Sequence, residues 1–140
     1  MKEQLTPEVL ALFPPDFEDK GFTRAMGMDY VRLTAEEVVI EWTVGPEHLQ
    51  PYGIVHGGVH AGAIETACSM GAVVQAGPGF VIMGVENQTS FLRAVRSGKL
   101  TCRAVPVHPG RRLQLWEAKI TDADGKLVAT GRVRIFCDPR

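Results

Sequence analysis

VHGGVHAGAIETACSMGA, residues 55–72, consists almost entirely of small or apolar residues and contains one carboxylate, that of Glu65. Two histidines, His56 and His60, stand near its beginning. Glycine and alanine recur on every face of a helix built through this stretch, although each interior glycine costs a helix up to about 1 kcal/mol relative to alanine. We therefore predict a helix over about residues 57–75 whose small side chains let other elements approach it closely.

Strand-like segments stand on both sides of this helix. Apolar residues alternate with other residues over 37–44, and an earlier strand near 26–33 is expected to pair with that segment. Four further strands are predicted after the helix, at about 80–95, 98–108, 111–122 and 126–137. In the last one, alternation predicts a single face that contains Leu127, Ala129, Gly131, Val133, Ile135 and Cys137. Because turn-like sequences join the strands, we expect an α+β fold with an antiparallel sheet of five to six strands wrapped around one long central helix.

The length and composition fit one soluble globular domain, residues 1–140, with 45% hydrophobic and 22% charged residues. Residues 1–20 are expected to form an N-terminal helical extension, with a helix over 6–13 that Thr6 caps and Pro14 ends. No apolar run approaches the roughly 20 residues of a membrane helix, and the acidic N-terminus is unlike a signal peptide. A cytoplasmic location without a membrane partner is therefore expected. Three cysteines are interpreted as small core residues: Cys68, Cys102 and Cys137.

The charges are distributed unevenly along the chain. Residues 1–90 contain four Lys and Arg and twelve Asp and Glu, whereas residues 91–140 contain eleven and four. The basic residues are scattered, and no nucleic-acid-binding motif accompanies them, which argues against a nucleic acid partner. A few scattered arginines suit a compact polyanion such as a nucleotide phosphate cluster. The alternative interpretation is a solvated sheet face.

Several short motifs occur in a fixed order along the chain. His56-Gly57-Gly58 is followed by an acid nine positions after the histidine, at Glu65. Further motifs are SFLRA at 90–94, GKL at 98–100, GRR at 110–112 and DGKLVA at 124–129. In order and spacing these motifs resemble those of the hotdog-fold acyl-CoA thioesterases of the PaaI-like family, over roughly residues 20–137. The resemblance implies a sheet-wrapped central helix, a pairing of two chains, and hydrolysis of an acyl-CoA substrate without any cofactor besides the substrate's own coenzyme A.

The chain also departs from the pattern of the family that it resembles. Gln50 and Glu65, fifteen residues apart, resemble the Gln/Glu variant of aromatic acyl-CoA thioesterases, where other relatives have Asn and Asp. Ala94 stands where the family often has Pro. Gly84 stands where some relatives carry a hydroxyl of the catalytic site. Either departure could change how a water molecule is positioned, and the acyl group itself is not specified.

Thioester hydrolysis needs a group that activates water or attacks the carbonyl, and donors that bind the oxyanion. The resemblance makes Glu65 the general base or nucleophile. The N–H of Gly57 is the candidate oxyanion donor, because a helix N-terminus offers unpaired N–H groups and a positive dipole end. Gln50 could orient water or hold the carbonyl, unless it only faces solvent, and His56 is expected to fix the loop. Ser69, one turn after Glu65, could bond to water, to substrate or to its own helix backbone.

The separation of Gly57 and Glu65 along the predicted helix indicates that the protein forms a dimer. Gly57 and Glu65 are eight residues apart, which is about 12 Å along a helix axis, and one thioester carbonyl cannot easily reach both. Two antiparallel copies of the helix, side by side, would bring Gly57 of one chain near Glu65 of the other. We therefore predict an obligate homodimer with composite sites, alone or as a dimer of dimers.

Other binding sites and functions remain to be weighed. His56 and His60 have a spacing that can chelate a metal on a helix, but His56 precedes the helix and no third ligand is evident, so we expect no metal. The nucleotide part of coenzyme A is expected to contact Arg93, Arg96, Arg111 and Arg112. A hotdog-fold hydratase or dehydratase is one alternative function, although its histidine-phenylalanine-proline motif or Asp…His pair is not evident. A non-catalytic acyl-CoA-binding module is another, against which the intact Glu65 argues.

Overall fold

A computed structural model describes residues 5–18 and 20–140. The parts of the predicted N-terminal extension at residues 1–4 and 19 therefore lie outside the described residues. The helices are α1 (Pro7–Leu10), α2 (Gly21–Ala25) and α3 (Gly57–Ala76). The strands are β1 (Asp29–Leu33), β2 (Val38–Thr43), β3 (Phe80–Phe91), β4 (Lys99–Pro109), β5 (Leu113–Thr121) and β6 (Leu127–Pro139).

The six strands form one antiparallel sheet in the order β1-β2-β4-β5-β6-β3. The long helix α3 contacts every strand of this sheet. Its buried side chains lie in the same hydrophobic cluster as those of β2, β4, β5 and β6. The predicted α+β fold, an antiparallel sheet around one central helix, is thereby confirmed, and the sheet has six strands.

Two glycines in the interior of α3, in addition to Gly57 at its first position, contact aromatic rings of other elements. A Cβ atom added at Gly71 would overlap the ring of Trp116 on β5, which is fully buried. A Cβ atom added at Gly62 would overlap the ring of Phe22 on α2. The small residues of the helix therefore allow the close approach that the sequence predicted, and at these two positions the neighbours are rings of the same chain.

The N-terminal segment differs from its prediction. Thr6 caps α1, since its side chain accepts a hydrogen bond from the N–H of Val9 at 3.3 Å. The helix ends at Leu10, and the chain continues through tighter turns in which N–H groups bond to carbonyls three residues earlier, as Phe13 does to Leu10. The sequence did not predict the short helix α2, because one turn is too short for a period to show.

Two details of the predicted strands are wrong. Strand β3 ends at Phe91 rather than near residue 95, because the next two N–H groups, of Leu92 and Arg93, both bond to the carbonyl of Val128. At the beginning of β6, Leu127 is exposed and Val128 is fully buried, the reverse of the predicted alternation. The β5–β6 register shifts beside this turn, which interrupts the alternation there.

The three cysteines are buried and free, as the sequence predicted. Burial raises the pKa of the thiols of Cys68 and Cys102, so both remain protonated at neutral pH and neither is an activated nucleophile. Among the described residues, no helix combines the length and the apolar character that crossing a membrane requires.

Candidate active site

The loop before α3 is fixed by two histidines. The Nδ1 atom of His56 accepts a hydrogen bond from the N–H of Gly58 at 2.7 Å and so caps the helix. The backbone N–H of His56 donates to the carbonyl of His48 at 2.8 Å. Within the described part of the chain, the N–H of Gly57 donates to no acceptor, so this group is available to a ligand.

His48 connects two loops, which sequence reasoning did not predict. The side chain is buried. Its Nδ1 atom accepts from the N–H of Gly45 at 2.8 Å, and its Nε2–H donates to the carbonyl of Met26 at 2.7 Å. These bonds require the neutral tautomer with the proton on Nε2. The side-chain bonds of His48 thus help to hold its own backbone carbonyl in place, and this carbonyl accepts the hydrogen bond from the N–H of His56.

A cavity of about 280 Å³ lies at the N-terminus of α3, and we call it the Gly57 cavity. Its walls include Gln50, Gly57, His60, Phe91, Arg93 and Ala94. The ring of Phe91 lies against Gly57, where an added Cβ atom would stand 2.9 Å from it. The Oε1 atom of Gln50 accepts a hydrogen bond from the N–H of Tyr52, which leaves the side-chain amide N–H groups of Gln50 available as donors.

Glu65 lies two turns further along α3 and is half-buried. Its Oε2 atom accepts a hydrogen bond from Nδ2 of Asn87 at 3.0 Å, and its Oε1 atom accepts one from Oγ of Ser69 at 3.4 Å. A Cβ atom added at Gly84 would overlap Oε1 of Glu65. Glycine at position 84 therefore makes room for the carboxylate of Glu65.

The carboxylate of Glu65 opens into a second cavity of about 380 Å³, which we call the Glu65 cavity. Strand β3 supplies Asn87, Thr89 and Phe91 to its walls, and α3 supplies the rest. The Oγ1–H of Thr89 donates to Oδ1 of Asn87 at 2.6 Å, which directs the amide N–H groups of Asn87 toward the carboxylate. Sequence reasoning assigned none of these three residues to the site, although Phe91 lies in the SFLRA motif and their i, i+2, i+4 spacing marks one face of a strand.

The two cavities are distinct within one chain. Gly57 and Gln50 line the first cavity, and Glu65 lines the second. Of the residues predicted to act on the thioester, the acid and the candidate oxyanion donor therefore do not face the same space. Phe91 lines both cavities and separates them.

The four arginines predicted to bind the nucleotide do not form one cluster in a single chain. Arg93 lines the Gly57 cavity. Arg96 lies near the same end of α3, where its Nη1 atom donates to the carbonyl of Tyr52 at 2.9 Å.

The other two arginines lie elsewhere on the molecule. Arg111 lines a third cavity beside Gln75 and Ala76, at the C-terminal end of α3. The guanidinium of Arg112 lies 5.8 Å from the ring centre of Phe136 on β6. Because α3 has 20 residues, its two ends are about 28 Å apart, so one nucleotide bound to one chain would not reach both pairs.

His60 is buried on α3, with 3% of its surface exposed. Its Nδ1 atom has no hydrogen-bond partner among the described residues. Burial lowers the pKa of His60 to about 4, so the ring is neutral at pH 7. Residues 5–18 and 20–140 contain no group of three or more His, Cys, Asp or Glu side chains that could hold a metal ion.

Comparison with known proteins places this geometry in a family. The family model described as "Thioesterase superfamily" matches residues 52–129. A 1,4-dihydroxy-2-naphthoyl-CoA hydrolase from Listeria monocytogenes is 32% identical over 115 residues, which cover 82% of this chain and 94% of that protein. The structure of a thioesterase from Haemophilus influenzae superposes with a TM-score of 0.84 at 27% identity, covering 89% of this chain and 87% of that one.

A third relative is a thioesterase from Staphylococcus aureus, whose structure superposes with a TM-score of 0.80 at 25% identity over 84% of this chain and 98% of that one. The structures of that protein include a glutamine-to-alanine variant and a glutamate-to-alanine variant at positions fifteen residues apart. The matched family model and the identity to the Listeria hydrolase agree with the sheet-wrapped helix and its motifs. The chain belongs to the thioesterase superfamily.

Proposed function

We propose that the protein hydrolyses acyl-CoA thioesters to the free acid and coenzyme A, with Glu65 as the general base or nucleophile. The observation that carries this proposal is the arrangement of Glu65, which faces an open cavity while Asn87 donates to one of its oxygens. The Listeria relative is named as a hydrolase of a CoA thioester. Gln50 and Glu65 also have the same spacing as the two residues replaced in the Staphylococcus thioesterase.

The hydrogen bonds around Glu65 suggest how the reaction proceeds. Asn87 donates to Oε2 and Ser69 donates to Oε1, and each oxygen keeps a lone pair with which Glu65 can take a proton from water. The water oxygen then bonds to the thioester carbonyl carbon, and the C–S bond breaks as the carbonyl reforms. The proton held by Glu65 passes to the departing thiolate. In the nucleophilic alternative, a carboxylate oxygen of Glu65 bonds to the carbonyl carbon and the C–S bond breaks to release the thiolate. Water then cleaves the resulting anhydride, which restores Glu65 and provides the proton that the thiolate takes up.

Donors are needed where negative charge develops on the carbonyl oxygen. The free N–H of Gly57 at the helix N-terminus is the proposed donor, and it benefits from the positive end of the α3 dipole. Gln50 lines the same cavity and keeps its amide N–H groups available for the carbonyl or the water. His56 positions this end of the helix through its cap.

Glu65 and Gly57 face different cavities of one chain, so we propose that a second chain completes each site. Among the strands of the described residues, β3 is an edge strand of 12 residues that pairs with β6 on one side. It exposes apolar side chains, with 41% of Met83, 59% of Val85 and 56% of Phe91 accessible. A long exposed apolar edge is a template for pairing with another strand. Because α3 packs against β3, antiparallel pairing of two β3 strands would bring two copies of α3 side by side.

A thiol-release assay over a panel of aromatic, short, medium and long acyl-CoAs tests the proposal. If the protein hydrolyses acyl-CoA, the assay should detect free coenzyme A from at least one thioester, and the Glu65→Gln variant should lose that activity. A hydratase would change the enoyl group and leave the thioester intact. Binding of acyl-CoA without release of thiol over the whole panel would support the non-catalytic module and contradict the proposed hydrolysis.

A further inference from the structure

Gln50 lines the Gly57 cavity from a tight loop, residues 50–55, which we call the Gln50 loop. Backbone hydrogen bonds fix the two ends of this loop. The N–H of Gln50 donates to the carbonyl of Ile54 at 2.9 Å, and the N–H of Val55 donates to the carbonyl of Val95 at 2.8 Å. The residues between these two bonds depend on other contacts for their position.

The tip of the Gln50 loop, residues 51–53, is held by an arginine. The Nη1 atom of Arg96 donates to the carbonyl of Tyr52 at 2.9 Å, and among the described residues no other hydrogen bond reaches the tip from outside the loop. Tyr52 is 84% exposed, so packing of its ring adds little support. A Cβ atom added at Gly53 would lie 3.3 Å from Nη1 of Arg96, which places the guanidinium directly against the loop tip.

The loop tip in turn orients the side chain of Gln50. The N–H of Tyr52 donates to Oε1 of Gln50, and the N–H of Gly53 donates to the backbone carbonyl of Gln50 at 2.9 Å. Because Oε1 and Nε2 belong to one planar amide, a fixed Oε1 also fixes the direction of the Nε2–H groups that the proposed reaction uses. If the tip moved, Oε1 could turn toward the cavity and place an acceptor where the reaction needs a donor.

We propose that Arg96 is a positioning residue for Gln50: it fixes the tip of the Gln50 loop and so keeps the amide N–H groups of Gln50 directed into the Gly57 cavity. The inference rests on the proposed thioester hydrolysis, in which Gln50 acts on the carbonyl or the water. It gives Arg96 a role other than the expected contact with the nucleotide of coenzyme A. The two roles differ in their kinetic effects, because a positioning residue acts on kcat, whereas a contact made equally with substrate and transition state acts on KM.

A double-mutant cycle tests the inference with the best acyl-CoA. We expect Arg96→Met to lower kcat about 10-fold, because a small misplacement of a catalytic group is costly. The KM and the inhibition by free coenzyme A should stay within about 2-fold of the wild type. In the Gln50→Ala background, measured with enzyme in excess over substrate, Arg96→Met should change the rate by less than about 2-fold, since the group that it positions is absent. The control is Arg103→Met, which removes an exposed guanidinium that pairs with Glu37 and should match the wild type.

The outcomes separate this inference from the function on which it rests. Absence of thiol release from every acyl-CoA overturns the proposed hydrolysis and the inference together. When hydrolysis is present, an unchanged kcat in Arg96→Met overturns only the inference. A rise in KM that exceeds the fall in kcat, with weaker inhibition by coenzyme A, also overturns it and indicates nucleotide binding. A loss of equal size with and without the Gln50 side chain overturns it as well, because Arg96 then acts by another route. If Arg96→Met does not unfold cooperatively, Arg96→Gln replaces it under the same criteria.

Discussion

At the scale of single residues, the carboxylate of Glu65 carries the proposed chemistry. We expect Glu65→Gln to reduce kcat at least about 100-fold, because the amide can neither take a proton from water nor attack a carbonyl. The side chain keeps its shape and is only half-buried, so the unfolding midpoint should change little. Glu36→Gln is the matched control, since Glu36 is an exposed acid in the turn between β1 and β2, away from the proposed site and from the edge strand β3. Near-normal turnover by Glu65→Gln would remove Glu65 from the mechanism.

Gly84 is the residue that accommodates this acid. A methyl group added there would overlap Oε1 of Glu65, and a misplaced catalytic group can cost about 100-fold in rate. We expect Gly84→Ala to lower kcat at least about 10-fold while circular dichroism and the unfolding midpoint remain close to those of the wild type. Turnover equal to the wild type's would show that Glu65 does not act from the position described here.

His60 predicts a pH dependence of stability. Its pKa is about 4 in the folded protein against 6.5 for an ordinary histidine, so the unfolded chain binds this proton first as the pH falls. Stability should therefore decrease as the pH falls from about 6.5 to 4, by up to about 3 kcal/mol from this residue. His60→Leu lacks this contribution, so the free energy of unfolding of the wild type relative to the variant should fall between pH 7.5 and 4.5.

Urea unfolding at a series of pH values measures this difference. The exposed residue His108 provides the control variant, His108→Gln. A wild-type to His60→Leu difference that stays constant over the pH range would contradict a neutral, buried His60.

At the scale of elements, the glycines of α3 lower its helix propensity but allow aromatic rings to contact the helix closely. Gly71→Ala would gain up to about 1 kcal/mol of helix propensity, but its methyl group would overlap the buried ring of Trp116. Because overpacking costs about 1–3 kcal/mol, we expect a net loss of stability in thermal unfolding. In the background of Trp116→Leu, the same change should be neutral or stabilising. Stabilisation in the wild-type background would show that the ring moves away freely.

The elements were also the part of the structure that sequence predicted best. The helix predicted over 57–75 is observed over Gly57–Ala76. This helix could be predicted because its small residues and its beginning after His56 are visible in the local sequence. The short helix α2 was not predicted, yet its Phe22 contacts Gly62 in the helix face beside Glu65. Contacts of this kind join residues that are far apart in the sequence, so no local sequence pattern predicts them.

Asn87, Thr89 and Phe91 show the same limit at the candidate site. Their alternation on β3 is visible in the sequence, but alternation alone does not say which face of the strand meets α3. That choice follows from the sheet order, in which β3 pairs with β6 rather than with its neighbour in the chain, β4. Glu65, by contrast, could be singled out because it is the one charge within an otherwise small and apolar segment.

At the scale of the whole molecule, the account depends on a second chain. One chain has Gly57 and Gln50 in one cavity and Glu65 in another, and it exposes apolar side chains along the edge strand β3. Pairing of two chains along this edge would both cover the strand and complete two equivalent sites. A nucleotide-binding site is then to be sought among arginines of two chains rather than among those of a single chain.

The most direct test of composite sites is complementation between two inactive variants. Glu65→Gln and Gly57→Val chains are unfolded together, refolded as an equal mixture, and assayed for thiol release from the best acyl-CoA. Random pairing makes half of the dimers mixed, and each mixed dimer has one intact site, so we predict about a quarter of wild-type activity. Activity no higher than that of the separately refolded variants, in a mixture shown to contain mixed dimers, would contradict the account.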